Sequence, residues 1–268
     1  MPSVAGPGAL VEANGERFLF DCGRCVVPRM AQLGLMPNEV TRVFLTHLHS
    51  DHVTDIPDLW LSGFFRGRTA SLEIRGPVGT SDMVENLRVA FSADIETRTG
   101  LPELLPPGTA AVAGINIGAG VVYANGGMAI SAVAAEHGPV GSSLAYRVDF
   151  NGHSVVFSGD DKHSEDLVRA SMGVDVLFHA MYGWTAEELG EDSELGARRR
   201  IWSALMATPE EVADTFLRSK CKVAVLIHSS SDPPSISRVR KTFHGQLEVP
   251  GDLTEFVIGD QIIIRPLS

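Results

Sequence analysis

Three imidazoles and a carboxylate crowd the stretch Thr46-His47-Leu48-His49-Ser50-Asp51-His52, directly after the apolar run Val43-Phe44-Leu45. Neutral imidazole and carboxylate are the donors that borderline divalent ions such as Zn²⁺ take. Alternate residues of an extended chain share a side, so His47 and His49 address one point, while the neighbours Asp51 and His52 must address a second. Such an arrangement suits two divalent ions activating one water, the device by which hydrolases obtain a nucleophile at neutral pH. A solvated, His-rich turn or an adventitious metal tract is the alternative. It would not require a buried strand before the cluster or matching residues downstream.

The matching residues recur at the ends of predicted strands. An apolar run ends at His137, others at Asp160, His179 and His228, and open sheets bind ligands at the carboxyl ends of their strands. The elements that must deliver them follow from pattern. Ala9–Ala13 and Arg17–Phe20 around Asn14-Gly15 read as a hairpin leading to Asp21-Cys22-Gly23, then a helix from about Pro28 to Leu35 and a strand Val43 to Thr46. In Val53 to Phe65, the aromatics Trp60, Phe64 and Phe65 wall a substrate pocket or, at helical spacing, fill the core. A strand Leu72 to Arg75, a helix capped by Thr80-Ser81-Asp82 and running to about Ala93, and a Pro-rich loop Leu101 to Gly108 come next. Ala111 to Ala135, turning at Asn125-Gly126-Gly127, is expected to supply strands of a second sheet. Ser143–Phe150 and His153–Ser158 flank Asn151-Gly152 as a hairpin, followed by a helix Ser164 to Ser171 and a strand Val174 to Phe178. Thr208-Pro209-Glu210-Glu211 opens a helix to about Ser219, and the strand Val223 to Ile227 ends at His228.

Composition bounds the answer. With 268 residues, 44% of them hydrophobic and 21% charged, the chain suffices for one large domain, residues 1–268. No apolar run approaches the roughly 18–20 residues of a membrane span, and the start has no signal-peptide pattern, so a cytoplasmic protein is expected. Three cysteines form no disulfide framework; Cys22-Gly-Arg-Cys25 is half of a zinc or redox site or simply near-core sulfur. A net charge of −11 and a pI near 5.2 oppose long-range attraction of nucleic acid or anionic membrane.

The pattern His47-x-His49-x-Asp51-His52 resembles the signature of the metallo-β-lactamase superfamily, and the resemblance extends along nearly the whole chain. It implies a mixed α/β, four-layer αββα sandwich of two mostly antiparallel sheets. It also implies that His47, His49 and His137 bind one metal, that Asp51, His52 and His228 bind another, and that Asp160 bridges them, with two Zn²⁺ expected and Mn²⁺ or Fe²⁺ as alternatives. Asp21 resembles the family's carboxylate that buttresses the metal loop, or else caps the next turn. Asp161 stands where relatives often have Thr, and either bonds a metal-ligating His or caps the helix that follows. The family usually opens with a further strand, which this sequence does not show; an exposed sheet edge there suggests either a homo-oligomer or a sequence that starts short of its natural beginning.

Gly138-Pro139-Val140, Ser158-Gly159-Asp160 and Leu226-Ile227-His228-Ser229-Ser230 look most like the ribonuclease Z-like branch. Three departures stand out. His179-Ala180-Met181-Tyr182 replaces that branch's His-Glu-Ala-Thr, Ala207 stands where a relay His would fall, and the interval from His137 to Asp160 leaves no room for a basic RNA-binding arm. In place of the arm, residues 182–207 read as a lid insertion, with Tyr182 and Trp184 toward the pocket; Arg198-Arg199-Arg200 within it is an RNA contact or a solvated helix face. These features point to a dinuclear-metal hydrolase of a small-molecule ester, lactone, sulfate ester or phosphodiester, with Asp51, Asp160 and His179 as catalytic residues. A small-molecule substrate is then the expected partner and nucleic acid is disfavoured. The rivals are a tRNA 3′-end endoribonuclease, a hydrolytic dehalogenase and a non-catalytic metal-binding protein.

Overall fold

A computed structural model describes residues 4–100, 110–138, 141–184, 186–190, 192–229 and 233–266. The chain divides into two compact units, Met1–Gly118 and Ala119–Ser268. The Pro-rich loop expected at Leu101 to Gly108, and residues Pro139, Val140 and Ser230, lie outside the described residues.

The first unit is built on a five-stranded sheet of β1 (Ala9–Ala13), β2 (Glu16–Phe20), β3 (Arg42–Phe44), β4 (Leu72–Gly76) and β5 (Val112–Asn116), in that order. β1 and β2 form the expected hairpin, with Asn14 and Gly15 both left-handed (φ 52° and 74°), the geometry that matches strand twist in a two-residue turn. The other three pairings are parallel, which corrects the mostly antiparallel expectation. The reason is connectivity: α1 (Val26–Gln32), then α2 (Ser50–Val53) with α3 (Ile56–Phe65), then α4 (Thr80–Ala90) with α5 (Ser92–Thr99) each return the chain to the same end. β5 also belongs here, although its run was expected in the second sheet, because it pairs with β4 from Leu72↔Val112 to Gly76↔Asn116. α4 is not capped by Thr80. Gly79 at φ 104° is its N-cap and the Thr80 hydroxyl turns back to Pro77 O.

The second unit carries a seven-stranded sheet in the order β12-β11-β10-β9-β8-β7-β6. β6 (Gly120–Asn125), β7 (Met128–Ala135), β8 (Ser143–Phe150) and β9 (His153–Phe157) form an antiparallel meander whose last turn is Asn151-Gly152, both left-handed. β10 (Val176–Met181), β11 (Val223–Ser229) and β12 (Gln246–Glu248) then add in parallel. Their crossovers are α6 (Glu165–Ala170), the run α7 (Ala186–Gly190), α8 (Glu194–Leu205) and α9 (Pro209–Ser219), and α10 (Pro233–Arg240). A hairpin of β13 (Thr254–Ile258) and β14 (Ile262–Pro266) follows, with Phe256 edge-on to Phe178 at 5.1 Å. Each unit has its own core: Leu19, Val43, Leu59, Trp60 and Ile74 in the first, Val156, Leu177, Phe216 and Leu226 in the second.

Candidate metal centre

In the first unit the site residues follow β3. Asp21, just past β2 at φ 57°, turns its carboxylate inward under the loop, where it accepts the Thr46 N–H at 2.8 Å and the Thr46 hydroxyl at 2.9 Å. It also accepts from His52 Nδ1 at 2.8 Å. The Thr46 hydroxyl hydrogen is thereby used, so its oxygen accepts from His47 Nδ1 at 3.0 Å. Both imidazoles are thus assigned the tautomer whose lone pair is on Nε2. The loop lies close against the end of β2: Cys22 N–H donates to His52 O at 2.8 Å, and a Cβ on Gly23 would meet Asp51 O at 2.1 Å. Only glycine fits there.

His47 Nε2 and His49 Nδ1 lie 2.9 Å apart. Two nitrogens on one tetrahedral zinc, each at roughly 2.0–2.1 Å, are separated by about 3.3 Å, so a slight opening of this pair accommodates the ion. His52 Nε2 lies 3.8 Å from Asp51 Oδ2. Of these four side chains, His47 and His52 are buried and Asp51 is exposed.

The second unit has donors of its own. β7 ends before His137, whose Nδ1 donates to Leu205 O at the end of α8 at 3.0 Å, which puts the lone pair on Nε2, 3.9 Å from Asp160 Oδ2. His228 Nε2 is 3.6 Å from the same oxygen. The sequence places His228 after a strand, but the structure makes it the extra residue of a bulge. The β10–β11 register jumps from Ala180↔Ile227 to Met181↔Ser229, and His228 takes φ 42°. Bulges re-aim side chains in this way. Tyr182 stands edge-on to His228 at 5.7 Å and against Trp184 at 5.4 Å.

Asp161 resolves its two readings toward support of the backbone. One oxygen accepts the Glu136 N–H at 2.6 Å, the other the hydroxyl of Ser164, which caps α6. With Lys162 N–H donating to Glu136 O at 2.7 Å, the residue before His137 is held on both sides. Burial pushes the Asp161 carboxyl up to about 6.

Two expectations need correction. His179 is not at a strand end: it pairs with Leu226 inside β10, is fully buried, and packs edge-on against Phe216 at 6.0 Å. Desolvation pushes its imidazole down to about 4, which favours the neutral form at pH 7. Trp60 and Phe64 line no pocket. They are 1% and 0% exposed in the core of the first unit, with the indole N–H donating to Ala110 O. Phe65 points outward under the guanidinium of Arg98. Thr46 and the Leu205 carbonyl were missed: the first is adjacent to the motif, whereas a backbone carbonyl has no sequence signal.

The family described as beta-lactamase superfamily domain matches residues 16–229. The chain belongs to the metallo-β-lactamase superfamily. Within it the chain falls in the ribonuclease Z-like branch and is a metal-dependent hydrolase. A relative from Mycolicibacterium gilvum (strain PYR-GCK), named Ribonuclease Z, is 31% identical over 98% of this chain and 93% of its own. Human tRNase Z, short form, superposes with a TM-score of 0.69 over 94% of this chain and 92% of its own at 18% identity. The metallo-beta-lactamase fold protein YhfI from Bacillus subtilis gives 0.67 over 94% and 91% at 19% identity. The fold class expected from the sequence is therefore the one found. The expectation of a small-molecule substrate, with nucleic acid disfavoured, is overturned by the Ribonuclease Z relatives. It leaned on net charge, which sums the whole surface and says little about a local site. No helix among the described residues is long and apolar enough to cross a membrane.

Proposed function

We propose that this chain is a ribonuclease of the ribonuclease Z type that cuts an RNA with a tRNA-like 3′ region. The observation that carries the reading is the 31% identity to a Ribonuclease Z across 98% of the chain. In this reading His47, His49 and His137 would hold one divalent ion, Asp51, His52 and His228 a second, and Asp160 would serve both. Imidazole and carboxylate donors suit zinc, and manganese or iron accept the same set. The ions, when bound, supply acidified water and offset the charge that gathers on the phosphate.

The chain's own residues keep the donors ready. Asp21 and Thr46 hold the tautomers of His52 and His47, and the Leu205 carbonyl holds that of His137, so none must change tautomer on binding. Asp161 and Lys162 steady the peptide that carries His137. Ala180 and Ala207, both 0% exposed, supply no acid where the branch has its relay, so the leaving ribose oxygen takes its proton from solvent and turnover is slow.

The test is cleavage of a precursor tRNA bearing a 3′ trailer by protein reconstituted with zinc or manganese. Release of the trailer at one position, abolished by a chelator and restored by metal, is the expected result. An intact precursor after reconstitution sinks the reading.

A further inference from the structure

α8 turns its apolar side chains the wrong way for a helix that only packs against its own unit. Leu195, Ile201 and Trp202 are 54%, 62% and 47% exposed, and Arg198 lies among them on the same outward stripe. Positions 195, 198 and 202 recur at helical spacing on one face, while Gly196 on the other is buried. A surface stripe of this kind marks a binding face.

We propose that this face of α8 is the footing for single-stranded RNA, whose bases stack on Trp202 and lie against Leu195 and Ile201 while Arg198 meets a phosphate. This inference rests on the ribonuclease reading and deepens it. Two observations select RNA as the occupant. First, α8 is bonded to the candidate centre: its last residue, Leu205, accepts from His137 Nδ1, and a Cβ on Gly138 would strike the Leu205 side chain at 2.3 Å. Over 12 residues, roughly 18 Å at 1.5 Å each, the helix is a ramp ending on a candidate metal ligand. Second, the chemistry fits unpaired bases. Aromatic and aliphatic side chains stack on exposed base faces, which a duplex hides, and the one cation of the stripe is held only by an exposed pair with Glu194 at 2.6 Å, which a phosphate can replace. Tyr182 and Trp184, ring to ring beside His228, continue the same chemistry. Most of the described residues in the short interval from His137 to Asp160 belong to β8 and β9. α8 offers the footing instead.

Fluorescence anisotropy of a labelled single-stranded RNA on the full chain tests the proposal. Trp202→Ala is expected to weaken binding tenfold or more, Trp202→Phe to keep most of it, and Arg198→Ala to lower the salt slope by about 0.7. Equal affinity for wild type and Trp202→Ala overturns the proposal. So does light scattering in which Trp202→Ala turns a dimer into a monomer while RNA binding stays as it was, because the face then belongs to a second copy. The two readings fail separately. Precursor tRNA cut by a protein whose RNA affinity ignores Trp202 sinks the docking face alone, and RNA bound through Trp202 but never cut sinks the ribonuclease reading alone.

Discussion

Asp21 shows how much of the candidate centre depends on a residue that is not itself a proposed ligand. Its carboxylate accepts from the Thr46 N–H, the Thr46 hydroxyl and His52 Nδ1, which only an anion with two free oxygens can do at once. Asp21→Asn places an amide N–H₂ against one of those donors. Metal affinity is expected to fall by 10- to 100-fold, read by competition with a chromophoric chelator, while an unchanged affinity would leave Asp21 as a turn cap only. His179 gives a different kind of prediction. Its folded pKa is depressed to about 4 from an ordinary 6.5, so the stability it contributes is present above pH 6.5 and is lost as pH falls toward 4. The loss amounts to about 3 kcal/mol across that window. Urea midpoints of chelated protein at pH 7 and pH 4.5 should diverge for wild type, and clearly less for His179→Gln. The two residues also mark the limit of reading a sequence. Asp21 could be placed because its motif position carries chemistry, whereas His179 shares its residue type with ligands and only burial against Phe216 reveals its neutral, packed state.

Helix and strand boundaries were legible wherever a local signal fixed them. Thr208-Pro209-Glu210-Glu211 reads as a helix start, and the structure gives Thr208 as N-cap, with Glu211 N–H donating to its hydroxyl and its own N–H donating to the Glu211 carboxylate at 2.9 Å. The same cap holds the chain beside the centre, because Tyr182 N–H donates to Ala207 O at 3.1 Å. Thr208→Ala is expected to cost about 1 kcal/mol, or roughly 2–4 °C in Tm, measured by calorimetry. A change below one degree would show that the helix is held by its buried face of Val212, Ala213 and Phe216 alone. What the sequence hid were the features set by partners far along the chain. β5 looks like a strand of the second sheet until its pairing with β4 is seen, and the bulge that re-aims His228 exists only in the register of β11 against β10. Gly79 displaced Thr80 as a cap because its φ of 104° is open to glycine, whereas the Thr80 hydroxyl has a closer acceptor in Pro77 O.

For the molecule as a whole, a net charge of −11 must be reconciled with a polyanionic substrate. Most nucleic-acid-binding proteins gain affinity by releasing counterions from phosphates, so 6–10 such contacts cost about 10³–10⁵ in affinity between 50 and 200 mM salt. In the proposed docking one arginine, Arg198, meets one phosphate, and several others pair with the chain's own carboxylates, as in Arg88–Glu85, Arg98–Asp94, Arg218–Glu165 and Arg238–Glu210. Contact with RNA must then depend on stacking and on the metal centre, terms that salt screens little, while screening of the overall repulsion between two anions works in the opposite direction. The expected outcome is a KM for precursor RNA that changes by less than about tenfold across that salt range, and a slope of log KM on log salt near one or below. Steady-state cleavage at four or five salt concentrations with metal held constant measures it. A steep slope, equivalent to six or more phosphate contacts, would require a basic surface elsewhere on the chain and would move the RNA footing away from α8.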